Sequence, residues 1–90
     1  MALQIERSSQ FKRDYKRMKR QGADLTKLMD VIQQLATGEP LEQRYLDHRL
    51  QGNWRGYREC HIEPDWLLIY KTEDNILRLG RTGSHSDLFG

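Results

Sequence analysis

The chain contains three histidines, and all of them lie in its second half: His48, His61 and His85. Imidazole is suited to proton transfer at neutral pH because its unperturbed pKa is about 6.5. Asp65 follows His61 closely, and Arg81 shortly precedes His85. Cleavage of an RNA strand by its own 2′-OH requires a base, an acid and a cation for the phosphate charge. These residue types therefore predict acid–base phosphodiester chemistry, provided that the fold brings them together.

The same residues also allow simpler interpretations. A single surface histidine usually has no function, and Asp65 beside Pro64 could be an ordinary turn carboxylate. Arg81 could pair with a nearby acid such as Asp87. Three histidines and an aspartate could instead bind zinc, but the sequence has no short spacing such as H-x-x-x-H, so we predict no metal ligand and no cofactor. Three further residues are expected in the core or half-buried: Tyr57, Cys60 and Trp66.

Positive charge is concentrated in one short stretch of the chain. The formal net charge is only +2, but six basic residues lie between positions 12 and 20 against the single acid Asp14. Such a cluster is typical of a polyanion-binding surface, although a solvated helix face is an equally good alternative. Its members are Lys12, Arg13, Lys16, Arg17, Lys19 and Arg20.

Length and composition restrict the class of protein. Ninety residues correspond to a single domain with a thin core, which we predict over residues 1–90. The sequence has no apolar run of about 18 residues and no apolar signal core, so we expect neither a membrane span nor secretion. The single cysteine excludes an intramolecular disulfide and fits a reducing cytosol.

The first half of the chain has the pattern of a strand followed by two helices. Weak alternation predicts a strand over residues 2–6, and Ser8 and Ser9 are candidate caps for a helix that stops at Gly22. Asp24 is expected to cap a second helix, which carries the strongest helical pattern in the chain. The apolar positions of the two helices are Phe11, Tyr15 and Met18, then Leu25, Leu28, Met29, Ile32, Leu35 and Ala36.

The second half alternates with the period of strands. After a loop or short helical turn over 41–53, strands are predicted at 54–62, 66–71 and 76–81, and residues 82–90 are expected to be a short tail. Together the predicted elements give an α+β fold of order β-α-α-β-β-β, in which the last three strands form an antiparallel meander. The helices must cover one sheet face, and the other face stays partly open for a ligand.

This order of elements predicts where the candidate residues meet. The first and third strands of a meander run in the same direction, so their ends lie at the same end of the sheet. His61 ends the first of these strands and Arg81 ends the third, with His85 soon after. Asp65 lies on the connection that leaves His61. We therefore expect His61, Asp65, Arg81 and His85 to converge.

Residues 44–90 also carry a specific series of motifs. They are Asp47-His48 with Leu50-Gln51-Gly52, Trp54-x-Gly56-Tyr57-Arg58, His61-x-Glu63-Pro64-Asp65-Trp66, and Arg81-Thr82-Gly83-x-His85 near Leu88-Phe89-Gly90. Together they resemble the YafQ branch of the RelE/ParE toxin superfamily, while the first half of the chain matches mainly in the order of its elements. One departure is Arg49, which stands where the family pattern leads us to expect proline.

The resemblance implies a RelE-like microbial ribonuclease-type fold and the toxin of a type II toxin–antitoxin system. Such a toxin is a cytoplasmic endoribonuclease that enters the ribosomal A site and cuts the mRNA there, without a cofactor or a membrane. Its partner is a small antitoxin that supplies DNA binding for autoregulation. The alternative is a ParE-like toxin, which has the same architecture but inhibits DNA gyrase as a binding module without nuclease activity.

The resemblance also implies roles for individual residues. The catalytic set corresponds to His48, His61, Asp65 and His85. Our hypothesis makes His85 the general acid and either Asp65 or His61 the general base, while His48 positions substrate or shuttles a proton. Substrate-binding candidates are Arg81 on the phosphate, Phe89 stacked on a base, Arg58, and the basic helix residues Lys12, Lys16 and Arg20, which would dock on ribosomal RNA.

Overall fold

The predicted order of strands and helices is present in a computed structural model, which describes residues 2–90. Two elements are added to it: a two-residue strand before the meander and a C-terminal helix. The elements are β1 (Gln4–Arg7), α1 (Ser9–Arg20), α2 (Leu25–Ala36), β2 (His48–Arg49), β3 (Arg58–Glu63), β4 (Trp66–Glu73), β5 (Ile76–Gly83) and α3 (His85–Phe89). Short 3₁₀ turns cover Gln43–Tyr45 and Gly52–Trp54.

The strands form one five-stranded sheet in the order β1-β5-β4-β3-β2. The predicted meander β3-β4-β5 is antiparallel and forms its centre. β1 pairs in parallel with β5, with Ile5 opposite Leu77. β2 pairs antiparallel with β3 at the other edge, which sets His48 opposite Glu59. The sheet is therefore mixed, and its two edge strands are the short ones.

Both helices of the hairpin begin at the predicted type of cap. The Ser8 hydroxyl accepts a hydrogen bond from the backbone N–H of Phe11, which makes Ser8 rather than Ser9 the cap of α1. The Asp24 carboxylate accepts one from the backbone N–H of Thr26 at the start of α2. Such caps satisfy N–H groups that have no partner within the helix.

The sheet has apolar clusters on both faces because alternate residues of a strand point to opposite sides. On β4, Trp66, Leu68 and Tyr70 belong to the core with the two helices, whereas Leu67 and Ile69 face the other way. The second face is partly covered, since Leu88 of α3 packs there. The helix-side core contains Phe11, Met18, Leu28, Val31, Ile32, Leu35, Ala36, Cys60, Leu77 and Leu79.

Two predictions for the second half were wrong by more than two residues, while the predicted ends of β4 and β5 each fell two residues short. The first meander strand begins at Arg58 instead of residue 54, because Gly52 and Gly56 adopt positive φ values of 68° and 93° that break an extended chain. Residues 82–90 are not a tail. β5 continues to Gly83, and α3 follows with a capping box in which Ser84 and Asp87 each accept a hydrogen bond from the other's backbone N–H.

The basic stretch of α1 is not uniformly solvated. Asp14 is only 1% exposed, and Arg17 turns inward to donate a hydrogen bond to it at 2.9 Å. Arg17 also reaches the Thr82 carbonyl at 3.2 Å. The exposed part of the predicted cluster therefore excludes Arg17.

Within residues 2–90, every helix is too short or too polar to cross a membrane.

Candidate active site

The three imidazoles form a row on the sheet face away from the helical hairpin. His61 lies in the middle, with its ring centroid 6.3 Å from that of His48 and 5.8 Å from that of His85. β2, β3 and the first residue of α3 supply one ring each. His61 pairs with Leu67 across the sheet and so shares the face of the smaller apolar cluster. The structure thus brings together histidines separated by 13 and 24 residues in the sequence.

Asp65 holds the ring of His85. One carboxylate oxygen accepts two hydrogen bonds, from the His85 backbone N–H at 3.0 Å and from ring Nδ1 at 2.8 Å. These bonds, the backbone one first, lower the pKa of Asp65 below its usual value. Asp65 is therefore a carboxylate at neutral pH. Because Nδ1 donates to it, Nε2 is the nitrogen of His85 that is left for proton transfer.

His48 is fixed in a similar way at the other end of the row. Its Nδ1 lies 2.8 Å from the backbone carbonyl of Leu46. A carbonyl can only accept, so Nδ1 carries the proton and neutral His48 has its lone pair on Nε2. The ring is half exposed, which leaves Nε2 accessible to a substrate.

Glu59 is a site residue that the sequence reasoning missed. Its side chain is 6% exposed, and one oxygen lies 3.7 Å from Nε2 of His48 and 3.9 Å from Nε2 of His61. The signal was available, because alternation along the strand assigns Glu59 and His61 to one face. A buried carboxylate therefore lies between the two imidazole rings.

The tautomer of His61 follows from its surroundings. Its Nδ1 is buried and has no hydrogen-bond partner among residues 2–90. A buried donor without a partner costs about 1–3 kcal/mol, and Glu59 on the other side of the ring favours an N–H at Nε2. Neutral His61 therefore carries its proton on Nε2 and can donate a hydrogen bond from that nitrogen.

Arg81 lies on the same sheet face but is held by α1. It pairs with Ile69 across the sheet, and its guanidinium donates to Asp14 through Nε at 3.0 Å and Nη2 at 2.9 Å. The hydrogen bond to Asp14 raises the pKa of Arg81. A guanidinium has five N–H donors, so three remain for a phosphate. The alternative considered from the sequence was an ion pair between Arg81 and Asp87. Asp87 pairs with Arg17 instead, at 3.5 Å.

The other predicted substrate-binding residues are dispersed. Phe89 is 48% exposed and lies one helical turn after His85, on the same side of α3. Arg58 lies on the opposite face from Glu59 and donates to Asp47 at 2.6 Å. Three exposed residues of α1 lie four positions apart and form one stripe on a separate surface: Lys12, Lys16 and Arg20.

A metal ion would find three donors in this row. Ligand atoms of Glu59, His61 and His85 all lie within 4.8 Å of one another. Two imidazoles and a carboxylate form a set that suits zinc or copper. We expected no metal ligand because the sequence has no short spacing of ligand residues. The fold nevertheless assembles these three ligand groups from distant positions in the sequence. The nearby thiol of Cys60 belongs to the core, where burial raises its pKa to about 12.

Fold and site define a class of protein, the small bacterial toxins of toxin–antitoxin systems. The chain is 47% identical over 87 residues to the mRNA interferase toxin YafQ of Escherichia coli strain K12, covering 96% of this chain and 95% of that protein. The structure of the E. coli DinJ-YafQ toxin-antitoxin complex matches with a TM-score of 0.92 at 45% identity, covering 100% of both chains. A metal-bound toxin from Helicobacter pylori matches with a TM-score of 0.90 at 46% identity, covering 97% of this chain and 99% of that one.

Within this class the chain belongs to the YafQ family. The family model described as "Bacterial toxin of type II toxin-antitoxin system, YafQ" matches residues 3–90. This match confirms the resemblance seen in residues 44–90 and extends it through the helical hairpin.

Proposed function

We propose that this toxin is an endoribonuclease that cuts mRNA on the ribosome by metal-independent acid–base catalysis. One observation carries the proposal: His85, oriented by Asp65 at 2.8 Å, lies in a row of imidazoles on the sheet face away from the helical hairpin. The E. coli relative named an mRNA interferase supports the same substrate. The site would act in the cytoplasm, where ribosomes translate.

The tautomers favour His48 as the general base instead of Asp65 or His61, the two candidates of the sequence hypothesis. Asp65 is hydrogen-bonded to His85, and Nε2 of neutral His61 carries its proton. His48 takes the proton of the ribose 2′-OH at Nε2, and Glu59 stabilises the imidazolium that forms. The 2′-oxygen attacks phosphorus, the bond to the 5′-oxygen breaks, and protonated His85 gives its Nε2 proton to that oxygen. His61 and Arg81 donate to the phosphate oxygens, where negative charge develops. Phe89 stacks on a neighbouring base.

The decisive experiment is cleavage of one mRNA with and without ribosomes. Cuts within codons are expected only when ribosomes translate the message. Attack by the 2′-OH leaves a 2′,3′-cyclic phosphate upstream and a 5′-hydroxyl downstream, and mapping of fragment ends by primer extension and kinase labelling detects both. A 2′-deoxy nucleotide at the mapped site should stop the cut.

Controls separate this activity from its alternatives. A chelator selective for transition metals should leave cleavage intact, whereas added copper should inhibit by occupying Glu59, His61 and His85. Loss of activity with the chelator would contradict the metal-independent mechanism. Equal cutting of free RNA would contradict ribosome dependence. Gyrase-linked DNA damage without RNA cuts would indicate the ParE-like alternative.

The basic stripe of α1 is proposed to dock on ribosomal RNA. Changing Lys12, Lys16 and Arg20 together to glutamine should weaken binding to ribosomes and flatten its salt dependence. Each lost phosphate contact lowers the slope of log K against log salt by about 0.7–0.9, so a decrease of roughly 2 is expected. Sedimentation with ribosomes across a salt series measures it. An unchanged slope would mean that this stripe is only a solvated helix face.

We also propose that the chain pairs with a small DNA-binding antitoxin. The support is the E. coli relative, whose complex with DinJ has this fold in its toxin subunit. Large apolar side chains at the surface, including Ile5, Met29 and Leu46, offer contact area for such a partner. Addition of the purified antitoxin to the cleavage reaction should stop it, and undiminished cutting by a stable complex would contradict inhibition by pairing.

A further inference from the structure

A second cationic surface lies at the β2 edge of the sheet. It is an open groove of about 830 Å³, formed by the loop between β2 and β3 and by the end of β4. We call it the 49–58 groove. Four basic residues line it, Arg49, Arg55, Arg58 and Lys71, and no acidic residue among residues 2–90 does. Small-molecule pockets of this size are mostly apolar, so this lining indicates an anionic ligand.

Two of these four charges are already compensated. Arg58 donates to Asp47 at 2.6 Å, and Lys71 lies 3.3 Å from Glu73. Arg49 and Arg55 are exposed, and neither has a carboxylate within 4.0 Å among the described residues. The free charge of the groove therefore resides on two arginines, which suit phosphate oxygens because of their planar fork of donors.

The groove borders the candidate active site. Leu50 and Tyr57 of its lining pack against the apolar cluster of Leu67 and Ile69, on the face that carries the imidazole row. Arg49 and Arg58 pair next to His48 and Glu59, but alternation turns their side chains to the opposite face, so the groove wraps around the β2 edge. The α1 stripe is elsewhere, since α1 packs on β5, at the other side of the sheet. A strand bound at the imidazole row can therefore pass Tyr57 and continue over the β2 edge into the groove.

We propose that the 49–58 groove binds the phosphate backbone of the RNA strand being cut, next to the scissile phosphate and without reading its sequence. This inference rests on the proposed nuclease function and extends its substrate contacts. Arg49, which replaces the proline expected from the family pattern, supplies one of the two free charges. The backbone N–H of Leu50 donates to the Tyr57 carbonyl at 2.9 Å, so the ends of the groove loop stay joined while Arg49 faces the ligand.

The test uses a single-stranded 2′-O-methyl RNA oligonucleotide, which cannot be cut because it lacks the nucleophile. Its binding to the wild-type chain is compared with that of the double variant Arg49→Gln/Arg55→Gln by fluorescence anisotropy over a salt series. Two lost contacts on a single strand lower the salt slope by about 1.4, which corresponds to a roughly 20-fold weaker affinity near 0.1 M salt. Both positions are exposed, and thermal melts check that the variant is folded.

The matched control removes the same charge from α1, as Lys12→Gln/Lys16→Gln. It should retain most of the oligonucleotide affinity and lose binding to ribosomes that carry no message, whereas the groove variant should show the reverse. Equal weakening by both variants would mean that binding follows net charge alone and would overturn the proposal. Loss of ribosome binding by the groove variant with unchanged oligonucleotide binding would assign the groove to ribosomal RNA, which also overturns it.

The outcome is separable from that of the nuclease proposal. If the chain binds the oligonucleotide through Arg49 and Arg55 but cuts no mRNA, the groove proposal stands and the catalytic assignment is refuted. If the chain cuts mRNA and its double variant binds the oligonucleotide as well as wild type, the catalytic assignment stands and the groove proposal is refuted.

Discussion

Replacing His85 with alanine is expected to lower the rate of mRNA cleavage on ribosomes by about 10²–10⁴, the usual contribution of one positioned acid or base. The ring stands over the open sheet face, and Asp65 directs its Nε2 outward. Its neighbour Asp65 is ionised and so offers no proton to the leaving oxygen. Quantification of cut fragments under single-turnover conditions measures the loss, and the same variant should no longer arrest growth.

A matched control lies in the same helix. Ser86 is exposed and adjacent to His85, so Ser86→Ala tests the effect of disturbing α3 without removing the imidazole. It should cut within a few-fold of wild type. Both variants should melt close to the wild-type temperature, because His85 is half exposed. A folded His85→Ala chain that keeps more than about a tenth of the wild-type rate would contradict the general-acid assignment.

Periodicity was sufficient to predict the main elements of this fold. The apolar stripe of α2 and the alternation in β3 are local patterns, so each could be recognised without knowledge of the rest of the chain. The meander then followed from chain order, and with it the meeting of His61 with the segment that carries His85. That convergence is present, with 5.8 Å between the ring centroids.

The parts that could not be predicted depend on partners far away in sequence. β2 has only two residues and exists because His48 and Arg49 pair with β3. No local sequence pattern predicts this strand pairing. Asp14 was considered the only acid in a basic helix, yet its partners include Arg81, 67 residues further along. α3 was missed because the Ser84–Asp87 capping box is short and polar and does not follow an apolar repeat.

The Asp14 cluster joins the stability of the fold to the site. Its carboxylate accepts hydrogen bonds from Arg17, from the Thr82 backbone N–H and twice from Arg81. One buried charge therefore ties α1 to the free edge of β5 and fixes the guanidinium proposed to meet the phosphate. Such a cluster contributes little net stability when complete, but removing one member leaves the others without compensation.

Asp14→Asn is accordingly expected to destabilise the fold by about 3 kcal/mol. This value is near the lower end for a broken buried ion pair, because Arg17 and Arg81 both retain some solvent contact. For a domain of this size that corresponds to a roughly 12–24 °C lower melting temperature. Thermal and urea unfolding at pH 7 measure it. The matched control is Glu63→Gln, which breaks the exposed pair with Lys27 and should leave the midpoint almost unchanged, because solvent screens exposed ion pairs.

The pH dependence distinguishes a charge effect from a packing defect. Burial opposes ionisation of Asp14, but the hydrogen bonds from Arg81 and the Thr82 N–H outweigh it, so the pKa of Asp14 lies below its ordinary value of 3.8. A lowered pKa in the folded state means that the stabilisation is complete above the unfolded value and is lost as pH falls through the folded one. The stability gap between wild type and Asp14→Asn should therefore be widest near neutrality and narrow below about pH 3.8. A gap of constant size down to pH 2 would show that the side chain acts through shape, and Arg81 would then need another explanation for its fixed position.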